Sequence, residues 1–245
     1  MMTEQNSAIR ISIVPSSPRY AEQMQDLMHA VYHTTRANPD GTFTAAMFRR
    51  HRELFPEGQF VALAAGRVVG LTSSMRLPFD PTHPFLENWY TTISDGWLDR
   101  HDPSAEWMYG VESCVLPEYR SLGVGGKLMQ ARFDIAKALN LRGMVAGSAI
   151  IDYYKVADQV GVEDYVRDVV AGKRFDTNLS KQLRKGFNAV ACIPDYLPDP
   201  ETRGWGVVIV WHNPAFDPAS PIVTTPIPPR RYRLTLRERK VAINV

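Results

Sequence analysis

Val115-Leu-Pro-Glu-Tyr-Arg120-Ser-Leu-Gly123-Val-Gly125-Gly126-Lys-Leu128 joins a strand-like segment to a helix-like one through an arginine and three glycines. Val111 and Val115 belong to an apolar run that stops at Pro117, and Leu128, Ala131, Ile135 and Leu139 then recur on one helical face. The glycines therefore fall at a helix N-terminus. First-turn amides there lack intrahelical acceptors, and with the positive end of the helix dipole they favour an anion such as a pyrophosphate. Glycine lets the backbone approach that anion without a Cβ in the way. A P-loop would need glycine at 121 and Ser or Thr at 128, where the chain has Ser121 and Leu128. A dinucleotide fingerprint starting at Gly123 would need its third glycine at 128, so both readings fail. Glycines before a helix also serve as packing and turn devices, and the surrounding elements must decide.

Arg-x-x-Gly-x-Gly-(Gly)-x-Leu after Val-x-Pro-Glu-Tyr resembles the acetyl-CoA signature of the GNAT N-acetyltransferase family. The order of expected elements agrees with it. Ile9, Ile11 and Ile13 alternate as in a half-buried strand, and Ser17-Pro18 reads as the cap and first position of a helix carrying Ala21, Met24, Leu27 and Val31. A second helix is expected over 44–54, then a hairpin in which two apolar runs of 60–73 surround a tight turn at Gly66. A strand over 107–116, the glycine turn, a helix over 126–140 stopped by Gly143, and a strand over 144–151 form a β-α-β unit. A helix over 178–185 and strands over 187–192 and 204–211 complete the order. The resemblance implies an α/β GNAT acyl-CoA N-acyltransferase fold. Its central sheet would be mixed and mostly antiparallel, flanked by helices, with a splayed strand pair binding CoA.

The resemblance covers roughly residues 8–213, with insertions at about 78–106 and 152–177, and leaves 214–245 as a Pro-rich linker and basic tail. Within the family the chain looks similar to acetyltransferase domains fused to nitrilase-type carbon-nitrogen hydrolases. Tyr109-Gly-Val-Glu112, Val145-Ala-Gly147, Glu163-Asp-Tyr165-Val, Pro194-Asp-Tyr-Leu-Pro198-Asp and Arg203-Gly-Trp carry that narrower likeness. With 245 residues the chain is expected to hold this one domain and its tail, without a fused hydrolase. No apolar run approaches the roughly 20 residues that span a bilayer, and Met1-Met-Thr-Glu lacks a secretory signal, so no membrane partner and a cytoplasmic location are expected. The net charge of +2 comes without a nucleic-acid recognition motif, so no nucleic-acid partner is expected either. Cys114 and Cys192 are too few for a disulfide framework and read as small buried hydrophobes. Six scattered histidines show no ligand spacing, and no metal is expected.

Three segments depart from a minimal acetyltransferase. In 78–106, Phe79, Phe85, Trp89, Tyr90 and Trp97 interleave with Asp80, Glu87, Asp95, Asp99, Asp102 and Glu106, and Arg100 is the one basic residue opposing them. Acids beside aromatic faces suit an alkylammonium. The same pattern suits a lobe with a satellite core and solvated acids. Between 152 and 177, Asp152-Tyr-Tyr-Lys precedes a helical stretch with Tyr165, Val166, Val169 and Val170, placed to cover the acceptor side. In the tail, Pro214, Pro218, Pro221, Pro226, Pro228 and Pro229 precede a basic end running from Arg230 to Lys240. That end is compatible with docking on an acidic surface, with an edge strand that makes a homodimer, or with a solvated tail.

The resemblance implies acetyl-CoA as co-substrate and direct transfer to an amine acceptor. Backbone groups of a splayed strand over 111–116, including Cys114, Val115 and Leu116, would meet the pantetheine. Amides of Leu122, Gly123, Val124, Gly125, Gly126 and Lys127, together with Ser121, would cradle the pyrophosphate, with Arg120 beside them or merely exposed at the helix entry. Glu112 is the first candidate for general base, with a structural ion pair as the competing role. It lies eight residues before Arg120, and strict alternation sends it and Tyr109 to opposite faces of the strand. Many family members carry a tyrosine four residues before the Gly-Phe pair, whereas this chain has Gln182 there. Tyr153 is the replacement candidate for general acid, against solvent or ordinary packing. Cys114 is a weak nucleophile candidate, without an evident His partner. A different acyl-CoA, or a catalytically weak CoA-binding regulatory partner, stays open beside the acetyltransferase.

Overall fold

The computed structural model describes residues 9–224, 227 and 231–236. The N-terminal segment 1–8, Pro226, Pro228, Pro229, Arg230 and the basic end from 237 onward lie outside the described residues. β1 (Ile9–Pro15) leads to α1 (Ala21–Tyr32) and α2 (Ala45–Leu54), followed by β2 (Phe60–Ala64) and β3 (Arg67–Leu77). The short α3 (Trp89–Thr92) precedes β4 (Trp107–Val115), α4 (Val124–Ala138) and β5 (Gly143–Ala149). Then come α5 (Val162–Val170), α6 (Leu179–Leu183), β6 (Asn188–Ile193), β7 (Gly206–His212) and β8 (Tyr232–Leu236). The strand order is β6-β7-β5-β4-β3-β2-β1-β8. It is an α/β fold with a mixed, mostly antiparallel sheet and flanking helices. Among the described residues no helix is long and apolar enough to cross a membrane.

The chain divides into two compact units. Among the described residues, the first comprises those up to 73, 112–132 and those beyond 226; the second comprises 74–111 and those from 133 to 224. In the first, β1 pairs antiparallel with β2 and with β8, so the tail supplies an edge strand to its own chain. β2 and β3 are joined by Ala65 (φ 46°) and Gly66 (φ 82°), the two positive-φ residues that a two-residue hairpin turn requires. The register slips between Ala62 and Leu63, leaving Val69 as the extra residue of a bulge on β3. The Val69 carbonyl accepts the Leu116 amide at 3.0 Å. Next to it, a Cβ on Gly70 would stand 3.2 Å from both the Cys114 carbonyl and Val115 Cγ2, so glycine lets β3 come close to the end of β4. α1 buries Ala21, Met24, Leu27 and Met28, as its spacing predicts.

In the second unit, β5 pairs antiparallel with β7 along its whole length, and β6 pairs with β7 around a bulge at Val190. β4 runs parallel to β5 over Trp107–Tyr109 against Gly143–Val145. The 78–106 lobe has its own core of Leu86, Trp89, Ile93, Leu98 and Ala105. The Trp89 indole donates to the Val111 carbonyl at 3.1 Å. Its acids are largely used locally. Asp80 accepts from Thr82, Asp102 from Ser104, Glu87 pairs with Arg100, and Glu106 pairs with Arg142. Those are the contacts of a satellite core.

Two local expectations change. Ser17 makes no side-chain cap; Pro18 opens a short 3-10 turn through Tyr20, and α1 begins at Ala21. Gly143 does not stop the helix. α4 ends at Ala138, Asn140 takes the left-handed conformation (φ 53°), and the Leu141 amide closes the turn on the Ala136 carbonyl at 2.9 Å. Gly143 instead opens β5, where a Cβ would stand 2.0 Å from the Trp211 carbonyl oxygen. The predicted helix over 126–140 accordingly moves to Val124–Ala138, which places Gly125 and Gly126 inside its first turn.

Candidate functional site

The turn belongs entirely to the first unit. β4 ends at Val115, a short 3-10 turn covers Pro117–Tyr119, and Arg120 leaves it with extended backbone. Ser121 (φ 61°) and Gly123 (φ 83°) both adopt left-handed conformations, which reverse the chain into α4. The Lys127 amide donates to the Gly123 carbonyl at 3.0 Å and makes the first helical bond. Amides of Val124, Gly125 and Gly126 thus precede the ladder and have no intrahelical acceptor. A Cβ on Gly125 would meet only Val115 Cγ2, at 3.9 Å, and one on Gly123 only Leu234 Cδ2 of β8, at 3.8 Å. α4 is anchored beneath by Leu128, Ala131 and Ile135, all buried. Arg120 is exposed and its Nε donates to the Val115 carbonyl at 3.1 Å, which holds the guanidinium over the end of β4. Donor amides at a helix start and an adjacent guanidinium form a setting suited to a phosphate group.

Upstream on β4, Glu112 is half-buried. Its Oε1 accepts the Tyr32 hydroxyl at 2.7 Å and the Ser113 amide at 2.8 Å. The carboxylate makes no ion pair among the described residues. The nearby Arg132 guanidinium is directed elsewhere, donating to the carbonyls of Ser73 (2.6 Å) and of Glu112 itself. Loss of water around Glu112 raises its pKa above the ordinary carboxylate value; the Tyr32 and Ser113 hydrogen bonds and the Arg132 charge oppose that rise. Thr72 Oγ1 also donates to the Glu112 carbonyl, at 3.0 Å, fixing the backbone beneath the carboxylate. Two residues on, Cys114 is buried, and its thiol is pushed well above the usual value by burial and by the Glu112 charge. It stays a thiol at neutral pH.

In the second unit, Tyr153 is buried and its hydroxyl donates to the Val160 carbonyl at 3.0 Å. Its ring lies 5.1 Å from that of Tyr165, whose hydroxyl donates to the buried Asp176 at 2.9 Å. Gln182 accepts the Ser148 hydroxyl at 2.5 Å. Tyr109 is buried, and its hydroxyl lies 3.1 Å from that of Tyr196. Two shallow cavities of about 410 and 500 Å³ belong to this unit, and neither is lined by the turn or by Glu112. Among the described residues no group of three His, Cys, Asp or Glu side chains is arranged to hold a metal ion.

Tyr32 was not singled out by its sequence context. It ends α1, 80 positions from Glu112, and four residues after Met28 it falls on the same helical face as Ala21 and Met28, so its spacing reads as an ordinary core position. In the sequence Tyr196 stands out only as part of the run Pro194-Asp-Tyr-Leu-Pro198-Asp. Its ring lies where a Cβ on Gly147 would be, 2.1 Å from the ring and hydroxyl atoms, and that fit is not legible from spacing.

The profile of the acetyltransferase (GNAT) family matches residues 28–156. A Bacillus subtilis (strain 168) protein named uncharacterized N-acetyltransferase YkwB is 33% identical over 170 residues, covering 69% of this chain and 75% of that protein. The probable hydrolase YhcX of the same organism is 36% identical over 164 residues; the match covers 66% of this chain but 32% of YhcX. Among solved structures, the GphF GNAT-like decarboxylase in complex with isobutyryl-CoA superposes with a TM-score of 0.67 at 23% identity, covering 82% of this chain and 98% of that one. The superposition gives the fold, and the profile and the YkwB match give the kinship: the chain belongs to the acetyltransferase (GNAT) family of acyltransferases.

Proposed function

We propose that the protein transfers an acetyl group from acetyl-CoA directly to a primary amine of a small molecule or peptide. The observation that carries this reading is the pairing, within one compact unit, of the 120–127 turn with a half-buried carboxylate upstream on the same strand. Amides of Leu122, Gly123, Val124, Gly125 and Gly126, flanked by Ser121, hold the pyrophosphate, and Arg120 adds positive charge; the Lys127 amide, expected among these donors, is instead engaged by the Gly123 carbonyl at 3.0 Å. Backbone groups of Cys114, Val115 and Leu116 meet the pantetheine. The amine nitrogen attacks the thioester carbonyl, forming the C–N bond, and collapse of the tetrahedral adduct breaks the C–S bond with the electron pair leaving on sulfur. Glu112 takes the nitrogen proton, a role suited to a carboxylate whose pKa is raised towards the working range.

We assign reprotonation of sulfur to solvent. Gln182 has no acidic proton, and the Tyr153 hydroxyl already donates to Val160. A thiol with a pKa of about 8.5 leaves as a thiolate at little cost near neutral pH, so no strong general acid is required. A second reading, a CoA-binding regulatory partner of low activity, draws on the same two residues. Transfer of a longer acyl group would use the same turn, since a pyrophosphate motif does not measure acyl length.

Thiol release from acetyl-CoA, measured against polyamines, amino acids, aminoglycosides and peptide N-termini, separates these readings. Amine-dependent release supports transfer; tight CoA binding with no release for any class favours the regulatory partner. Gly125→Trp should abolish acetyl-CoA binding by calorimetry while the melting temperature stays within a few degrees, and unchanged binding would remove the turn from the site.

The narrower kinship with hydrolase-fused acetyltransferases is supported by the match to a third of a protein named as a hydrolase. A cytoplasmic location is part of this reading. So is self-association along the outer edge of β8, the last strand in the order, which sedimentation of the full chain would test.

A further inference from the structure

We propose that Tyr32 is the positioning residue of Glu112: from the end of α1 its hydroxyl holds Oε1 of the carboxylate and leaves Oε2 to receive the proton of the amine. The inference rests on Glu112 as the base and adds the residue that fixes how that base is presented.

Oε1 is occupied by two donors, the Tyr32 hydroxyl at 2.7 Å and the Ser113 amide at 2.8 Å, whereas Oε2 accepts no hydrogen bond among the described residues. The Ser113 amide is adjacent in sequence and accompanies any rotamer that folds the carboxylate back on its own strand. Tyr32 comes from another element, and its bond selects one orientation. α1 is built to end there. His33 takes the left-handed conformation (φ 55°), and its amide closes on the His29 carbonyl, so the helix stops with Tyr32 as its last residue. Tyr32 as a whole residue is 44% exposed while its hydroxyl is turned in against Glu112, and packing alone gives little reason for a large aromatic at that place. A phenylalanine would fill the same space; what tyrosine adds is the hydroxyl.

The groups acting on this pair come from three further places. Arg132 of α4 contributes positive charge near Glu112, Cys114 of β4 lies close to both partners, and Arg120 acts on Tyr32 and Cys114. Arg132 directs its Nη2 to backbone carbonyls, and among the described residues the phenol is the side chain seen to hydrogen-bond the carboxylate. Burial raises the Glu112 pKa, and the Tyr32 bond is the largest influence opposing it. The phenol itself is pushed well above its ordinary value of 10.0 by removal from water and by the Glu112 charge. Transfer of its proton to a thiolate with a conjugate-acid pKa of about 8.5 is therefore uphill. Tyr32 stays protonated and acts as a donor to Glu112, not as the acid that serves the leaving sulfur.

The test uses the full-length chain carrying Tyr32→Phe, with ¹³C-carboxyl-labelled glutamate and the Glu112 signal assigned by its loss in Glu112→Gln. The Glu112 titration midpoint should rise by about one pH unit, because the ionised form loses a hydrogen bond. The acid limb of kcat/KM for amine-dependent thiol release should move upward with it, while the acetyl-CoA Kd holds. An unmoved midpoint overturns the proposal. So does thiol release whose acid limb ignores the substitution, an outcome that leaves acetyl transfer itself standing. A shifted midpoint with no thiol release for any amine supports the hold of Tyr32 on Glu112 and counts against acetyl transfer instead.

Discussion

Replacing Glu112 by glutamine keeps an oxygen for the Tyr32 hydroxyl and the Ser113 amide while removing charge and basicity. Turnover should fall by roughly 100-fold, the lower end of what a positioned base contributes, with acetyl-CoA affinity nearly intact. In the wild type, activity should decline as pH drops through the Glu112 pKa, which burial places above 4.5. Linkage has the opposite sign. A carboxyl whose folded pKa is raised adds stability below the unfolded value of 4.5, and that contribution is lost as pH rises through the folded pKa. Glu112→Gln should therefore melt above the wild type at pH 8 and lose that advantage in acid, as a pair of calorimetric scans would read. Glu112 was reachable from its place in the strand. Its partner was not, because a hydrogen bond across 80 positions leaves no periodic trace.

Strands β5 and β7 carry glycines where a ring needs room. Tyr196 is held by its amide to the Gly204 carbonyl at 2.7 Å and by its hydroxyl to the Gly147 carbonyl at 3.3 Å. Cβ atoms on Gly147 and Gly206 would stand 2.1 and 2.5 Å from atoms of the ring. With the ring fixed at both ends, Gly147→Ala should destabilise by about 3 kcal/mol in denaturant unfolding. In a Tyr196→Ala background most of that loss should vanish, since the collision is then removed. Helices and strands were legible wherever one face is apolar: Leu128, Ala131, Ile135 and Leu139 are all buried in or just after α4. Boundaries moved where a terminus depends on a neighbour. Gly143 looked like a helix stop, yet it is glycine because the Trp211 carbonyl occupies the space of its Cβ.

For the chain as a unit of stability, the tail matters more than its composition suggests. β8 pairs with β1 over Ile9–Ile13, and Leu234 lies beside Gly123 of the 120–127 turn. Truncation after Thr224 should weaken acetyl-CoA binding several-fold in calorimetry and lower the melting temperature, whereas a merely solvated tail would change neither. Acid sensitivity has a separate source. His101 accepts the Arg76 amide at 3.0 Å, and burial with the Arg76 charge lowers its pKa to about 4. A depressed folded pKa gives stability that is full above the unfolded value of 6.5 and lost as pH falls towards 4. His101→Asn, which can keep an acceptor for the Arg76 amide, should flatten the fall in melting temperature across that window.

By itself the sequence determined the order of elements and the family, and it picked out the 120–127 turn proposed as the donor half of the site, because hydrophobic period, glycine placement and the 120–127 spacing are local properties of the chain. The tertiary structure decided which side chain meets Glu112, that the tail adds an edge strand beside the turn, and that Gly143 and Gly147 make way for distant atoms. Those outcomes depend on residues far apart in sequence coming within a few ångströms, and contact at that range follows from packing and hydrogen-bond satisfaction in three dimensions.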